Sequence, residues 1–348
     1  MVCNRECAFH KFANIHFAGT KFNQVTLSGV IKMQEEPVFY TPEMQQEVRE
    51  YVRQLEIELG ESLPTNEREP EDLRDERENG TPAREAPVLS DKAIVREIPT
   101  DHGNVSVRAF IPEGQINGVY LHIHGGGWVL GRAHHKDPEL ETIMNECEAA
   151  VISVDYRLAP ESPYPAAQDD CEAAAVWVVE NAPKEFGTEN ITIGGESAGG
   201  HLAAATMLRM RDRHGYTDFS GANLVYGAFD LSMTPSQQLW GDRLLVLSTP
   251  IMNWFYDHYV PKDMRRDPDV SPLYASLHNL APALFTVGTL DPLLDDTLFM
   301  HSRWFASGNI STLHVYPGAT HGFENQPTEL ASKVRGRMRD FIRESFQS

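Results

Sequence analysis

The sequence has few cysteines, no long hydrophobic run and far fewer basic than acidic residues. Among its four cysteines, Cys3 and Cys7 lie close together but lack a histidine or second pair at metal-ligand spacing, so we interpret them as free thiols. No run of 18 apolar residues and no signal-peptide core is present, so we expect no membrane span and a cytoplasmic location. Thirty Lys and Arg against fifty Asp and Glu give a net charge of −20. Because a phosphate backbone is bound by clustered cations, we expect no nucleic-acid partner.

The remaining composition is typical of a globular chain, with 41% hydrophobic and 23% charged residues among 348. Residues 1–32 show no sustained periodicity, and we interpret them as a leader, either disordered or an overlong start assignment. Residues 33–92 are predicted to form an N-terminal helical part of a cap and a connector. Within them, Thr41 can cap a helix over 41–59. The acid-rich, proline-containing stretch 64–85 predicts an exposed connector.

Strand and helix patterns alternate through residues 93–348, which we predict to form one α/β domain. Apolar strands are predicted at 105–111, 119–123, 150–154, 191–194, 222–226, 283–287 and 313–316, with helices between them and a final helix near the C-terminus. This alternation predicts a mostly parallel sheet covered by helices on both faces, with ligands beyond the carboxyl ends of the strands. The aromatic-rich insertion 232–272 interrupts the alternation. We interpret it as a cap over an apolar substrate, and an ordinary pair of core helices is the alternative.

Glycines surround one serine in ITIGGESAGG, residues 191–200. A strand is predicted to end and a helix to begin here, and glycine suits the sharp turn between them because it has no Cβ to clash. Residues 195–199 fit G-x-S-x-G, the nucleophile elbow. The motif alone also allows a glycine-rich turn without chemistry.

An acid and a histidine follow Ser197 in the chain order of a hydrolase triad. A serine hydroxyl needs a base to take its proton, and that base needs an orienting partner. Asp291 follows one predicted strand in VGTLDPLLDD, and His321 follows the next in VYPGATHGFE. We therefore predict Ser197, Asp291 and His321 as the catalytic residues. Asp295 is a rival acid that lies farther from its strand end.

A second glycine-rich loop, HIHGGGWVLG, follows the strand predicted at 119–123. Its glycines allow backbone N–H groups to face a ligand without obstruction by side chains. One such N–H, together with that of Ala198 after the nucleophile, would form an oxyanion hole. A phosphate-binding loop is excluded because no Lys-Ser/Thr follows and no GxGxxG pattern is present.

These motifs resemble the hormone-sensitive lipase-like carboxylesterases (bacterial family IV type) of the α/β-hydrolase superfamily, over roughly residues 90–348. The matching motifs are HGGGW at 124–128, DYRLAPE at 155–161, GESAGG at 195–200, DPLLDD at 291–296 and HGF at 321–323. The resemblance implies an α/β-hydrolase fold with a helical cap formed by 41–59 and 232–272. It also implies the Ser197–Asp291–His321 triad and oxyanion donors at Gly126, Gly127 and Ala198.

The resemblance implies supporting roles for other residues of these motifs. His124 is similar to a histidine that braces the oxyanion loop, whereas His122 is expected to pack on the opposite sheet face. Asp155 and Arg157 are expected to hold the turn after their strand by ion pairing. Trp128 is expected either to line the acyl or alcohol pocket, as a substrate-binding residue, or to pack the loop.

The implied function is that of a serine carboxylesterase that hydrolyses short- to medium-chain acyl esters through an acyl-enzyme, without metal or organic cofactor. A homodimer through an exposed strand near the C-terminus is a further expectation from the family. An amidase, a lactonase or an acyltransferase on the same triad remains an alternative. A non-catalytic small-molecule receptor on this scaffold would lack the histidine, and the intact HGF motif argues against it.

Overall fold

Eight strands form one sheet in the computed structural model of the protein, which describes residues 39–81 and 85–347. The predicted leader, residues 1–32, lies outside these residues. The strands are β1 (Ile94–Thr100), β2 (Gly103–Phe110), β3 (Gly118–Ile123), β4 (Ala149–Asp155), β5 (Ile191–Glu196), β6 (Gly221–Val225), β7 (Ala283–Leu290) and β8 (Ser311–Thr320). Their order is β1-β2-β4-β3-β5-β6-β7-β8. The pairs β1–β2 and β2–β4 are antiparallel, and the others are parallel, which confirms the mostly parallel sheet.

Helices cover both faces of this sheet. They are α1 (Pro42–Gly60), α2 (Pro70–Asn79), α3 (Asp137–Cys147), α4 (Ala166–Glu185), α5 (Ala198–His214), α6 (Pro235–Leu239), α7 (Thr249–Tyr259), α8 (Leu294–Ala306) and α9 (Glu329–Ser345). One face packs against α4, α5 and α8, and the other against α3 and α9. Strands β3, β5 and β6 are buried along their whole length, which explains their continuous runs of apolar or small residues. In residues 39–81 and 85–347, no helix is long and apolar enough to span a membrane.

The helix predicted over 41–59 is present as α1. Its N-cap is Thr41, whose hydroxyl oxygen accepts a hydrogen bond from the Met44 N–H at 3.3 Å, and Pro42 occupies the first helical position. Met44, Val48 and Val52 form the buried face. The helix is therefore present where the sequence predicted it.

The prediction of an exposed connector over 64–85 is wrong in its middle part, which is helix α2. Pro70 occupies the first turn of α2, and Gly80 ends the helix with φ +74°. Leu73 is buried, and the Arg74 side chain donates to the backbone carbonyls of Val129 and Ala159 at 2.8 and 2.6 Å. Because these anchoring contacts are tertiary, the local charge pattern did not reveal them.

The alternation pattern also missed β1, whereas α3 lies between two predicted strands, where a helix is expected. Strand β1 pairs with β2 at an outer position of the sheet, and only Ile98 of its residues is buried, so it lacks the apolar signature of the inner strands. The insertion 232–272 contains the short helix α6, helix α7 and a 3₁₀ turn at Lys262–Met264. Its interpretation as a cap stays a prediction.

Candidate active site

The G-x-S-x-G sequence forms a tight turn between β5 and α5. Ser197 has φ +57° and ψ −120°, a strained conformation for a residue with a side chain, and its N–H donates to the Val225 carbonyl at 2.9 Å. A Cβ atom on Gly195 or Gly199 would collide with the carbonyl oxygen of Ile123. The turn therefore needs glycine at both positions, because its backbone packs directly on the end of β3.

The side chains of Ser197, His321 and Asp291 form a continuous hydrogen-bonded chain. Nε2 of His321 lies 2.9 Å from Oγ of Ser197, and its Nδ1 lies 2.8 Å from Oδ2 of Asp291. The other oxygen of Asp291 accepts the Leu293 N–H at 2.9 Å, which fixes the carboxylate. Asp291 is fully buried and His321 is 6% exposed. The histidine therefore bridges an accessible cavity and a buried acid, as a general base requires.

Parallel strand ends bring these residues together. Ser197 follows β5, Asp291 follows β7 and His321 follows β8, so all three lie at the carboxyl edge of the sheet. Asp295, the rival acid, lies in the first turn of α8, and its carboxylate accepts the Ser236 N–H at 2.8 Å. The partner of the histidine is therefore Asp291.

The loop after β3 places its glycines beside the serine. Gly126 and Gly127 have φ +126° and +61°, which favour glycine. A Cβ on Gly125 would stand 3.4 Å from the Ser197 Cβ, so this backbone adjoins the nucleophile candidate. Ala198 is the first residue of α5, and a helix N-terminus presents backbone N–H groups that favour negative charge. Gly126 and Gly127 line the same cavity as the serine, Ala198 follows the serine directly, and the role of all three as oxyanion donors stays a prediction.

Trp128 both lines the cavity at the serine and packs inside the protein. Its indole is 2% exposed, stacks on Tyr259 at 4.4 Å between ring centres, and donates Nε1–H to Nδ1 of His201 at 3.0 Å. Burial lowers the pKa of His201 to about 4, which leaves the ring neutral and able to accept this hydrogen bond. These contacts favour loop packing, and substrate binding by Trp128 stays a prediction.

The two histidines near the end of β3 face different surroundings. The His124 ring stacks on Tyr156 at 4.2 Å and its Nδ1 lies 2.9 Å from the Gly125 carbonyl oxygen, beneath the glycine loop. Burial lowers the pKa of His124 to about 4, so the ring is neutral at pH 7. His122 lies 2.8 Å from Ser153 Oγ and 3.4 Å from the Glu196 carboxylate. Both rings therefore act through packing and hydrogen bonds.

Asp155 and Arg157 each form an ion pair, but they do not pair with each other. The Asp155 carboxylate accepts the Ala133 N–H at 3.1 Å and lies 3.5 Å from the Arg132 guanidinium. Arg157 donates to Asp170 from its side chain and from its backbone N–H, both at 2.8 Å. These contacts fasten the chain after β4 to the start of α4 and to the segment after the glycine loop.

A buried cluster of charges, which the sequence did not predict, lies behind the serine. The Lys136 ammonium is 3.9 Å from Glu196, 3.5 Å from Glu324 and 2.9 Å from the amide oxygen of Asn325. Burial alone would raise the pKa of Glu196, but the charge of Lys136 and the contact with His122 outweigh it and lower this pKa to about 2. The Lys136–Glu196–Glu324 cluster therefore joins the glycine-loop segment, the elbow and the chain after His321.

The hydrogen-bonded chain opens into a cavity of about 480 Å³, a size common for small-molecule sites. The insertion contributes an apolar wall to it, and α1 contributes two residues. The residues from these two regions are Val246, Leu247, Met252, Phe255, Tyr256, Tyr51 and Leu55. Tyr226 also lines it, with its ring 4.4 Å from that of His321. In the sequence, the apolar composition signalled the insertion and the family resemblance signalled α1, but nothing indicated Tyr226.

Comparisons with known proteins identify the fold family of the chain. Residues 120–325 match the family described as alpha/beta hydrolase fold. The chain is 37% identical over 240 residues to the carboxylic ester hydrolase LipN of Mycobacterium tuberculosis (strain ATCC 25618 / H37Rv), a match over 66% of this chain and 63% of LipN. The matched segment thus spans less than two thirds of the length of LipN.

Two solved structures share the fold over almost their entire length. An esterase from Pyrobaculum calidifontis has a TM-score of 0.75 at 29% identity, covering 87% of this chain and 98% of that chain. A hormone-sensitive lipase from a metagenome library has a TM-score of 0.75 at 25% identity, covering 86% of this chain and 98% of that chain. The family match over residues 120–325 includes Ser197, Asp291 and His321.

Proposed function

The chain belongs to the alpha/beta hydrolase fold family, in its hormone-sensitive lipase-like branch, and on that premise we propose that it is a serine carboxylesterase for short- to medium-chain acyl esters. The observation that carries this proposal is the hydrogen-bonded chain from Asp291 through His321 to Ser197, with distances of 2.8 and 2.9 Å. Such a chain supplies the base and orientation that a serine hydroxyl lacks by itself. LipN and the Pyrobaculum protein, both described as ester hydrolases, support the choice of an ester bond.

In the first half-reaction, Oγ of Ser197 attacks the ester carbonyl carbon while its proton moves to Nε2 of His321. The carbonyl oxygen becomes an oxyanion, which the N–H groups of Gly126, Gly127 and Ala198 stabilise. Asp291 holds the histidine and stabilises its positive charge without taking the proton. The tetrahedral intermediate then collapses, the proton passes from the histidine to the departing alcohol, and the acyl group remains on Ser197.

In the second half-reaction, water replaces the alcohol. His321 takes a proton from the water as its oxygen attacks the acyl carbon, and the second intermediate forms in the same oxyanion site. Collapse breaks the bond to Ser197, and the serine recovers its proton from the histidine. The products are one alcohol and one carboxylic acid, and every proton transfer uses a residue of the chain, so no cofactor takes part.

The cavity supports a small ester as the substrate. Its volume of about 480 Å³ lies toward the lower end of the range for small-molecule sites. Met252, Phe255 and Leu247 provide an apolar wall on the side of the insertion, which suits a short hydrocarbon chain. We propose that the insertion acts as a cap and that this wall contacts the acyl group of the substrate.

Substitution of the serine tests this function. Ser197→Ala removes the nucleophile, so we expect kcat on p-nitrophenyl butyrate to fall about 10⁴–10⁶-fold, with an unchanged circular dichroism spectrum. Ser302→Ala, an exposed serine on α8, is the matched control and should keep full activity. Full turnover by Ser197→Ala would refute the assignment. Assays of an amide, a lactone and an alcohol acceptor beside the ester would identify an amidase, a lactonase or an acyltransferase if one of these reactions exceeds ester hydrolysis.

A further inference from the structure

Three potential metal ligands converge beside the active-site cavity. Nε2 of His134 lies 2.9 Å from Oε2 of Glu78, and Nε2 of His135 lies 3.2 Å from the same oxygen. All three ligand atoms lie within 4.8 Å of one another. The two imidazole rings are nearly perpendicular, with centres 4.6 Å apart. Two adjacent histidines thus direct the same ring nitrogen toward one carboxylate from another part of the chain.

The spacing of these atoms suits a tetrahedral metal ion. With zinc–nitrogen and zinc–oxygen bonds of about 2.0–2.1 Å, tetrahedral ligand atoms stand roughly 3.3 Å apart. The two Glu78–histidine distances are only slightly shorter, so small side-chain movements would admit the ion. The side chains of His134, His135 and Glu78 are 23%, 14% and 52% exposed, which leaves an open side for a water as fourth ligand. Two imidazoles, a carboxylate and a water are a common zinc ligand set.

The backbone on both sides of the cluster is fastened to the domain. Helix α2, which carries Glu78 in its last turn, is held by Arg74 through the carbonyls of Val129 and Ala159. The 3₁₀ turn Ala133–Lys136, which carries both histidines, is held by the Asp155 carboxylate through its first N–H. Because the ligands stand on fixed elements, the site is largely formed before any ion binds.

The local charge also favours a cation. Glu71 and Asp75 line the same cavity, of about 300 Å³, as the three ligands. The cavity also contains two arginines, each in an ion pair: Arg74 with Glu161 and Arg132 with Asp155. The carboxylates therefore supply attraction that the arginines do not cancel.

We propose that Glu78, His134 and His135 bind a divalent transition-metal ion of the zinc class, which ties α2 to the turn after the glycine loop. His135 also lines the cavity at Ser197, so the ion stands in a wall of the active site. Occupancy would hold α2 against the domain and stabilise the folded protein. This binding is independent of the proposed hydrolysis.

Metal-free protein titrated with zinc sulfate alone tests the site. We expect one ion per chain by isothermal titration calorimetry, and a Tm rise of about 3–6 °C when free zinc exceeds Kd 100-fold. Cobalt(II) should give the intense visible absorption of a tetrahedral complex. Glu78→Gln and His134→Ala should each weaken zinc binding more than about 10-fold, because each removes a ligand.

His214→Ala provides a matched control, because Nε2 of His214 lies 2.8 Å from Glu172 on the surface without a second histidine. This variant should bind zinc as the wild type does. Absence of one-to-one binding, or wild-type affinity in folded Glu78→Gln, would overturn the proposal. Ser197→Ala should still bind zinc, so failure of the ester-hydrolase proposal and failure of the metal proposal give different results.

Discussion

The backbone conformation of Ser197 depends on neighbouring glycines, which allow a close approach to β3. Its positive φ is held because the turn packs on the end of β3, where Gly195 and Gly199 leave room for the Ile123 carbonyl. Strain of this kind costs on the order of 1–3 kcal/mol and persists only where the surroundings enforce it. The strained backbone holds the hydroxyl 2.9 Å from Nε2 of His321, which explains how a buried turn keeps a reactive group in place.

Glu196 is the residue beside the serine whose charge most directly affects stability. Its pKa is lowered from 4.5 to about 2, although burial opposes this, because Lys136 and His122 stabilise the carboxylate. A carboxyl with a lower pKa in the folded than in the unfolded chain stabilises the fold fully above about pH 4.5, and this stabilisation is lost as the pH falls toward 2.

We therefore expect Glu196 to account for about 2 kcal/mol of the unfolding free energy that the protein loses between pH 7 and pH 3. Glu196→Gln should lack this part of the pH dependence, because its amide does not titrate. Urea denaturation over that pH range measures it, with Glu344→Gln at an exposed position as the control. If the unfolding free energy falls equally steeply with decreasing pH in Glu196→Gln and in the wild type, the ion cluster does not stabilise the fold in this way.

At the scale of elements, α7 contributes to the wall of the active-site cavity. Ser248 caps the helix, and Met252, Phe255 and Tyr256 on one side of it line the cavity. The Phe255 ring packs so closely on Gly127 that a Cβ there would collide with it. The helix therefore supports the glycine loop and limits the space for substrate at the same time.

Phe255→Ala should enlarge the acyl site. We expect the ratio of kcat/KM for p-nitrophenyl octanoate to that for the acetate to rise at least about 10-fold, because a longer chain can occupy the vacated volume. Titration of the active serine with a covalent phosphonate would correct for unfolded protein, since loss of a buried Phe costs about 3–5 kcal/mol. The matched control is Phe305→Ala on the exposed side of α8. If the ratio stays at its wild-type value, α7 does not select the acyl chain.

Helix α2 shows how a polar segment acquires structure from distant contacts. Its buried residues are Pro70 and Leu73, and Arg74 fastens the helix to two backbone carbonyls near the active site. That anchoring brings Glu78 to His134 and His135. A segment with the composition of a connector thus contributes to a candidate metal site.

At the scale of the whole molecule, the two outer strands of the sheet differ in how strongly they oppose pairing with a strand of another molecule. Strand β1 carries Arg96 and Glu97, and charges on an edge oppose association. Strand β8 contains no Asp, Glu, Lys or Arg, and Val315 on it is 37% exposed. Helix α1 covers part of β8, where Tyr40 donates to the Pro317 carbonyl at 2.7 Å. The uncharged first half of β8 is therefore the stronger candidate for pairing.

We propose that two copies of the chain pair through this part of β8, as expected for a homodimer. Val315→Lys should convert the dimer into a monomer in sedimentation velocity experiments, because two lysines would face each other across the edges. Val95→Lys on β1, 59% exposed in the wild type, is the matched control and should remain dimeric. A wild-type protein that sediments as a monomer at every concentration would refute the proposal.

Much of the fold and of the candidate site could be predicted because the signals are local. The inner strands carry continuous runs of apolar or small residues, and Ser197 and Asp291 each stand directly after one of them. His321 stands directly after the edge strand β8, so the three residues keep the order of a hydrolase triad. The glycines needed at the elbow are adjacent in the chain, so their motif is visible without a structure. In contrast, β1 was missed and α2 was taken for a connector, because their apolar patterns are weak and α2 is held largely by tertiary contacts.

The sequence by itself therefore determined the parallel sheet, the strand ends and the three residues that meet there. Only the tertiary structure decided which charges meet: Lys136 lies 188 residues from Glu324, and Glu78 lies 56 residues from His134. The physical reason is that hydrophobic periodicity and turn chemistry act over a few residues along the chain, whereas ion pairs and metal ligands depend on the folded path that brings distant side chains within about 4 Å.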